Sequence, residues 1–368
     1  MIKDSRKGGK PLFCNGPTVM SAPSHTPMME TDMILKPTLT ALLLSASALA
    51  AQDSTTGMQQ LMILDTQDTR HLEGFLWYPA QASTTVQAHG NAVWEPINVA
   101  PDAPAISGQF PLVVLSHGMF GNARNQAWLA ERLVAQGYAV AAIDHPGTST
   151  FQRDLDHQRE LWNRPKDISR LIDHLSADPR IDAGHIYMAG HSLGGFTAVA
   201  LAGGRYDPDG FDAFCAAMPD DLVCGIFNRW NVAKSPEDRI AMAQDLSDDR
   251  IRTFAVFDLG GTQTFAAKSL GAIDSPMLVY GAPVDLEGLN LDIESRALVA
   301  ALPAAVTTYY EPESLAHFDF LGVCTENGLA ILKDEEPDDA FVCAEGREAR
   351  RAEHAQIASD VAAFFAQH

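Results

Sequence analysis

Ala189-Gly190-His191-Ser192-Leu193-Gly194-Gly195 decides how this chain is read. It follows a short apolar run, Ile186-Tyr187-Met188, and precedes Phe196 to Leu201, a small and apolar stretch that reads as a helix. Gly-x-Ser-x-Gly between a strand and a helix predicts a serine on a sharp, strained turn, its Oγ projecting above a sheet. Glycines two before and two after it leave room for strand and helix to cross closely. The helix N-terminus brings positive dipole beside any oxyanion that forms there. Ser192 is the candidate nucleophile.

Upstream lies Phe110-Pro111-Leu112-Val113-Val114-Leu115-Ser116-His117-Gly118-Met119-Phe120-Gly121. Continuous Leu and Val fit a strand of a parallel sheet covered on both faces. The loop after such a strand supplies one backbone N–H to an oxyanion hole, and the residue after the nucleophile supplies the other. By position these are the amides of Met119 and Leu193. The chain has 12 histidines, so position must choose the base. His317 follows a late strand, Val306-Thr307-Thr308-Tyr309-Tyr310, and fits the order Ser…Asp…His. His354 falls in a terminal helix and is expected to face solvent. His191 is expected to pack beside the site, and His145, in Asp144-His145-Pro146-Gly147, to line the pocket. The acid should lie between Ser192 and His317, in a loop after a strand. Asp285, after Ser275-Pro276-Met277-Leu278-Val279-Tyr280-Gly281, is the first choice. Asp258, at the end of Arg252-Thr253-Phe254-Ala255-Val256-Phe257, is the alternative.

With these residues assembled, the chain resembles the bacterial "predicted dienelactone hydrolase" group, related to the platelet-activating-factor acetylhydrolases. The likeness runs from about residue 60 to the end. It rests on Phe75-Leu76-Trp77-Tyr78-Pro79-Ala80, Leu115-Ser116-His117-Gly118, Asp144-His145-Pro146-Gly147 and Arg164-Pro165-Lys166-Asp167-Ile168. The elbow motif and His317-Phe318-Asp319-Phe320-Leu321 complete it. The resemblance implies an α/β-hydrolase fold and a serine esterase with a Ser–Asp–His triad. Dienelactone hydrolases proper use cysteine as nucleophile, so the group's name does not transfer as a substrate. Its members carry Gly-x-x-Asp after the seventh strand, whereas Asp285 stands four residues after Gly281, which keeps Asp258 open.

Residues 33–51 have the pattern of a signal peptide: Lys36, an apolar core from Leu39 to Leu49, and a small-residue end. The core is shorter than the ~20 residues a membrane span takes. Residues 1–32 read as an upstream extension, and 52–368 as one hydrolase domain; an uncleaved anchor is the alternative reading of 33–51. Cys14 lies upstream, and the other four cysteines fall into two close pairs, Cys215 with Cys224 and Cys324 with Cys343. Behind a signal peptide, such pairs read as two disulfides, which places the chain in the periplasm or outside the cell. No Cys-x-x-Cys or paired-His spacing points to a metal, and the expected chemistry requires no cofactor.

Acidic residues number 47 against 26 basic, for a net charge of −21. Such a surface argues against nucleic acid or anionic membranes as partners; a small ester is the expected one. An N-terminal hairpin is expected near 60–62 and 78, and a Pro- and Ala-rich loop over 80–109. Strands follow near 112–116, 138–143, 186–190, 252–257, 276–280 and 305–310. Helices are expected near 123–136, 165–177, 193–203, 291–302 and 348–367. This alternation predicts an open, mostly parallel sheet with helices on both faces. The insert at 204–250 reads as a small lid, or else as a decorated surface loop. A second, acidic insert at 325–345 carries no functional expectation. Two functions stand: ester hydrolysis through an acyl-enzyme on Ser192, with amide hydrolysis or acyl transfer on the same triad as variants, and a binding protein without turnover.

Overall fold

The computed structural model describes residues 54–65, 70–284, 288–344 and 346–368. The segments 1–32 and 33–51, Cys14 and Asp285 lie outside the described residues. Ten strands form one sheet: β1 (Thr55–Ile63), β2 (Leu72–Ala80), β3 (Val86–Ala88), β4 (Ile97–Pro101), β5 (Phe110–Ser116), β6 (Ala139–Asp144), β7 (Ile181–His191), β8 (Ile251–Phe257), β9 (Met277–Tyr280) and β10 (Thr307–Tyr310). Their order is β10-β9-β8-β7-β5-β6-β2-β1-β4-β3. From β10 to β6 every pairing is parallel; β2 joins β6 antiparallel, in register from Glu73 against Asp144 to Trp77 against Val140.

Alternation along β5 divides the core. Leu112 and Val114 enter one buried cluster, Val113 and Leu115 the other. A strand buried on both faces needs apolar residues throughout, and the run of Leu and Val supplies them. The first face is covered by α3 (Asn163–Leu175), through Ile168, Leu171, Ile172 and Leu175, and by α4 (Leu193–Leu201). The second is covered by α1 (Ala127–Val134) and the terminal helix α11 (Arg347–Gln367), through Ile357, Val361 and Phe365. Between α1 and α3 sits the short α2 (Leu155–Arg159).

The loop expected over 80–109 holds β3 and β4, which extend the sheet beyond the hairpin. Both strands are short, and only Ile97, Val99 and Ala100 of them are buried, so alternation over them is too brief to read. The insert at 204–250 contains three helices: α5 (Pro208–Ala217), α6 (Leu222–Arg229) and α7 (Pro236–Ala243). Asp207, Asp221 and Ser235 each cap their helix by accepting the backbone N–H three residues on. Cys215–Cys224 joins α5 to α6. Phe211 and Phe227 meet edge-on in the first core cluster. Two short helices follow, α8 (Ala267–Leu270) and α9 (Ser295–Ala301), flanking β9. The acidic insert forms α10 (Gly328–Glu335) and a 3-10 turn, closed by Cys324–Cys343.

His354 corrects an expectation. It is 1% exposed, stacks on Trp128 with ring centroids 3.6 Å apart, and places Nε2 2.7 Å from Asp319 O. The face of α11 that carries it packs on α1, and burial lowers its pKa to about 3.

Each disulfide closes a short loop, of sequence separation 9 and 19. Alkylation and peptide mass spectrometry of the denatured, unreduced protein is therefore expected to find no free thiol at these four cysteines. The Cys215→Ser/Cys224→Ser double variant is expected to lose roughly 3 kcal/mol in chemical denaturation.

Candidate active site

Ser192 sits between β7 and α4 with φ 55° and ψ −119°. For a residue with a side chain this is strained backbone, held because its neighbours leave no alternative. The Ser192 N–H donates to Phe257 O at 2.9 Å, tying the turn to the end of β8. A Cβ on Gly194 would collide with Ser116 O, and one on Gly190 with the Gly194 carbonyl. The two glycines are what let α4 start directly over the ends of β5 and β7.

Asp258 ends β8, with φ 40°. Its Oδ1 accepts the Ala282 N–H at 3.0 Å and the Ser295 hydroxyl at 3.2 Å. Its Oδ2 lies 2.6 Å from His317 Nδ1. The structure thus brings His317 to Asp258, the alternative acid, and both are buried, at 5% and 3% exposure. A carboxylate can only accept, so Nδ1 carries the hydrogen and Nε2 is left for the cavity that His317 and Ser192 both line. His191 also lines this cavity; its Nε2 donates to His317 O at 2.7 Å and so fixes the histidine loop. Burial pushes the His191 pKa well below its usual value, so this ring is neutral.

The loop after β5, which carries the candidate oxyanion donor Met119, is held from behind. His117 Nδ1 donates to Gly118 O at 2.7 Å, while its Nε2 accepts the His145 N–H at 3.0 Å. Gly118 O also accepts the Gly121 N–H at 3.1 Å. Pinning that carbonyl fixes the peptide plane whose other end is the Met119 N–H. Among the described residues, the N–H groups of Met119 and Leu193 have no hydrogen-bond acceptor.

His145 departs from the expectation that it lines the pocket. It is fully buried, with Nε2 3.0 Å from Ser116 Oγ and Nδ1 3.0 Å from Asp167 Oδ2. Asp167 also binds Arg70 through two hydrogen bonds, at 2.8 and 2.7 Å. Sequence reasoning assigned no role to Arg164 or Asp167. The available signal was their place on α3, on the same stripe as Ile168, Leu171 and Leu175: charges inside an apolar stripe mark a buried ion network.

The cavity has a volume of about 820 Å³. Both inserts wall it. The first contributes Leu222, Ile226 and Trp230, and the acidic one contributes Leu332 and Phe341. The pocket expected of the insert at 204–250 is therefore shared with a segment that carried no expectation.

A ferulic acid esterase from Streptomyces cinnamoneus superimposes with a TM-score of 0.59 at 21% identity, over 87% of this chain and 92% of that one. The fold is that of the α/β-hydrolases. The family described as "Serine aminopeptidase, S33" matches residues 109–221, the stretch from β5 through the elbow. Cutinase est1 of Thermobifida alba is 32% identical over 104 residues, which are 28% of this chain and 34% of the cutinase. The human acylamino-acid-releasing enzyme is 28% identical over 131 residues, 34% of this chain and 18% of that enzyme. The chain thus spans only a minority of the length of these curated relatives.

Glu294 stands behind Asp258, next to Ser295. Its Oε2 accepts the Gly261 and Thr262 N–H groups at 2.7 and 2.8 Å. Burial raises its pKa to about 8, and the neighbouring Asp221 and Asp258 add to the rise against those two donors. The folded state therefore keeps this proton between about pH 4.5 and pH 8, where the unfolded chain has released it. Stability consequently falls as pH rises through that window. Denaturant titrations at pH 5.5 and pH 8 are expected to show this loss in the native protein and a smaller one in Glu294→Gln.

Proposed function

We propose that the protein is a serine carboxylic-ester hydrolase in which Ser192 is the nucleophile, His317 the base and Asp258 the acid. The 2.6 Å contact between His317 Nδ1 and Asp258 Oδ2, beside a strained serine on the same cavity, carries this reading. Ser192 Oγ attacks the ester carbonyl, and His317 Nε2 takes its proton. The N–H groups of Met119 and Leu193 receive the developing oxyanion. Collapse releases the alcohol, protonated by His317. A water then enters and gives a proton to His317 as it attacks the acyl-enzyme; collapse frees the acid, and His317 returns that proton to Ser192 Oγ. Asp258 keeps the imidazole in the required tautomer and balances the imidazolium.

The names of the relatives, cutinase and ferulic acid esterase, support ester cleavage. The sequence marks shared with the dienelactone hydrolase-like group support that finer placement, with residues 52–368 as the catalytic domain and 204–250 as a lid over it. Two disulfides support a periplasmic or secreted location, with 33–51 as the signal peptide. Among the described residues no helix is long and apolar enough to cross a membrane.

A fluorophosphonate is expected to label the native protein and not Ser192→Ala, and that variant is expected to fold yet lose esterase turnover by roughly 10⁴- to 10⁶-fold. Retention of a tenth of the activity would remove Ser192 from the mechanism. On one 4-nitrophenyl ester, Asp258→Asn is expected to lower kcat/KM by roughly 10²- to 10⁴-fold and Asp285→Asn by much less. The reverse ranking would move the acid to Asp285.

A further inference from the structure

One lobe of the cavity is basic in a chain whose net charge is −21. It is built by the loop after β5 and the loop after β6, which are laced together. Phe120 N donates to Thr148 O at 2.8 Å, and Thr150 N donates to Gly121 O at 2.7 Å. Arg124 and Arg153 stand on these loops, and both line the cavity. Arg124 Cζ lies 4.9 Å from the centroid of Phe75 and 4.9 Å from that of Phe151. Arg153 Cζ lies 4.5 Å from the centroid of Phe120. Aromatic faces orient a guanidinium without using its N–H donors, which remain available in the plane.

Among the described residues those donors have no hydrogen-bond partner. Neither arginine forms an ion pair with a carboxylate among the described residues, whereas most arginines of the chain do. Arg124 Nη1 is buried without a hydrogen-bond partner, and so is Nε2 of His89, another cavity residue. The His89 ring packs edge-on against Phe75, 4.6 Å between centroids. Burial, helped by the charge of Arg124, lowers the His89 pKa to about 4, so the ring is neutral at pH 7 and can donate one hydrogen bond. Asp144 senses Arg124 electrostatically, yet its Oδ1 accepts the Ala123 N–H. Glu95, on the same cavity, is held by Arg347 and Arg351. A buried donor left unpaired is costly, and a guanidinium flanked by a neutral imidazole is a site for an oxyanion.

We propose that this lobe is a subsite for a carboxylate carried by the substrate, so that the ester taken is an anionic one: an apolar body with a free carboxylate at one end. The inference rests on the esterase reading above and deepens it. The carboxylate would sit on Arg124 and His89, with Arg153 at the mouth. The carbonyl to be cleaved would lie at the Met119 N–H, on the same loop as Arg124.

Two matched pairs of esters test it. The charge is on the acyl arm in mono-4-nitrophenyl suberate against 4-nitrophenyl octanoate, and on the alcohol arm in 4-carboxyphenyl butyrate against phenyl butyrate. The readout is the ratio of kcat/KM, anionic over neutral, within each pair. In one pair Arg124→Gln is expected to lower that ratio about tenfold, with Arg124→Lys retaining part of it and the exposed Arg153→Gln lowering it less. Added salt is expected to lower the native ratio in the same pair. The responding pair tells which arm carries the charge. Ratios that change less than twofold in both pairs would overturn the subsite, because a mere packing defect lowers both members alike. If the native protein cleaves none of the four esters, the esterase reading fails and the subsite is judged by binding. Calorimetry on Ser192→Ala should then find 4-carboxyphenyl butyrate bound more tightly than phenyl butyrate, and that preference lost in Ser192→Ala/Arg124→Gln. Equal binding would overturn it.

Discussion

One buried guanidinium holds the front of the sheet together. Arg164 is 1% exposed, and its nitrogens reach Thr197 Oγ1 on α4 at 3.0 Å, Thr148 Oγ1 after β6 at 2.5 Å and Ser116 Oγ at 3.2 Å. It also donates to His117 O. Burial lowers its pKa to about 9, an effect opposed by Asp167, so it stays charged at neutral pH. A desolvated charge is tolerated only when its donors are satisfied and a counter-charge is near. Here four acceptors come from three chain segments, and each is thereby fixed against the others. Those segments carry the Met119 amide, the loop behind it and the helix that begins after Ser192. The placement of the proposed oxyanion donors is thus set by a cation that does not line the cavity.

The walls of the cavity are built differently. They are inserts, placed over strand ends where the sheet makes few demands, and each is closed by a disulfide that limits its freedom. The acidic insert is further tied in by Arg350, 2% exposed, which bridges Asp319 Oδ1 at 2.9 Å and Val342 O at 2.8 Å. Asp319 in turn accepts the Ala316 N–H, one residue before His317, at 2.8 Å. The insert wall and the histidine loop therefore share one buried ion pair. A change in the wall is therefore felt at His317, which couples the shape of the cavity to the geometry of the candidate site.

How much of this was legible in the sequence follows from which constraints are local. The elbow, the Leu- and Val-rich β5 and the alternation of strands and helices are local patterns, and the sheet order grew from them. β3 and β4 were missed because they are too short to show a period. Position in the sequence ranks Asp285 before Asp258 but does not decide between them. In sequence Asp258 comes directly after β8 and Asp285 in the segment after β9, and the choice depends on where the His317 loop comes to lie, a matter of three segments meeting in space. The structure sets His317 against Asp258, while Asp285 falls outside the described residues. His354 was misplaced because α11 shows little amphipathic contrast in sequence, although one face of it is core.

The molecule also holds a control for its own site. Ser116, His145 and Asp167 repeat the hydrogen-bond order of a serine, a histidine and a carboxylate, at 3.0 Å and 3.0 Å. Three physical facts make this set structural. Ser116 and His145 have no exposed surface and Asp167 has 1%, so no substrate carbonyl can reach the hydroxyl. Arg164 and Arg70 lower the His145 pKa further, below what burial alone does, so an imidazolium could not form there as a proton acceptor must. And Ser116 lies within a strand, in ordinary extended backbone, whereas Ser192 is held at φ 55°. The contact between a histidine and a carboxylate is thus common to both sets, and what separates them is access, the cations beside the buried histidine and backbone strain. All three point to Ser192 and His317, where the strained turn opens on the cavity and, among the described residues, the ion-pair partner of the imidazole is the carboxylate of Asp258.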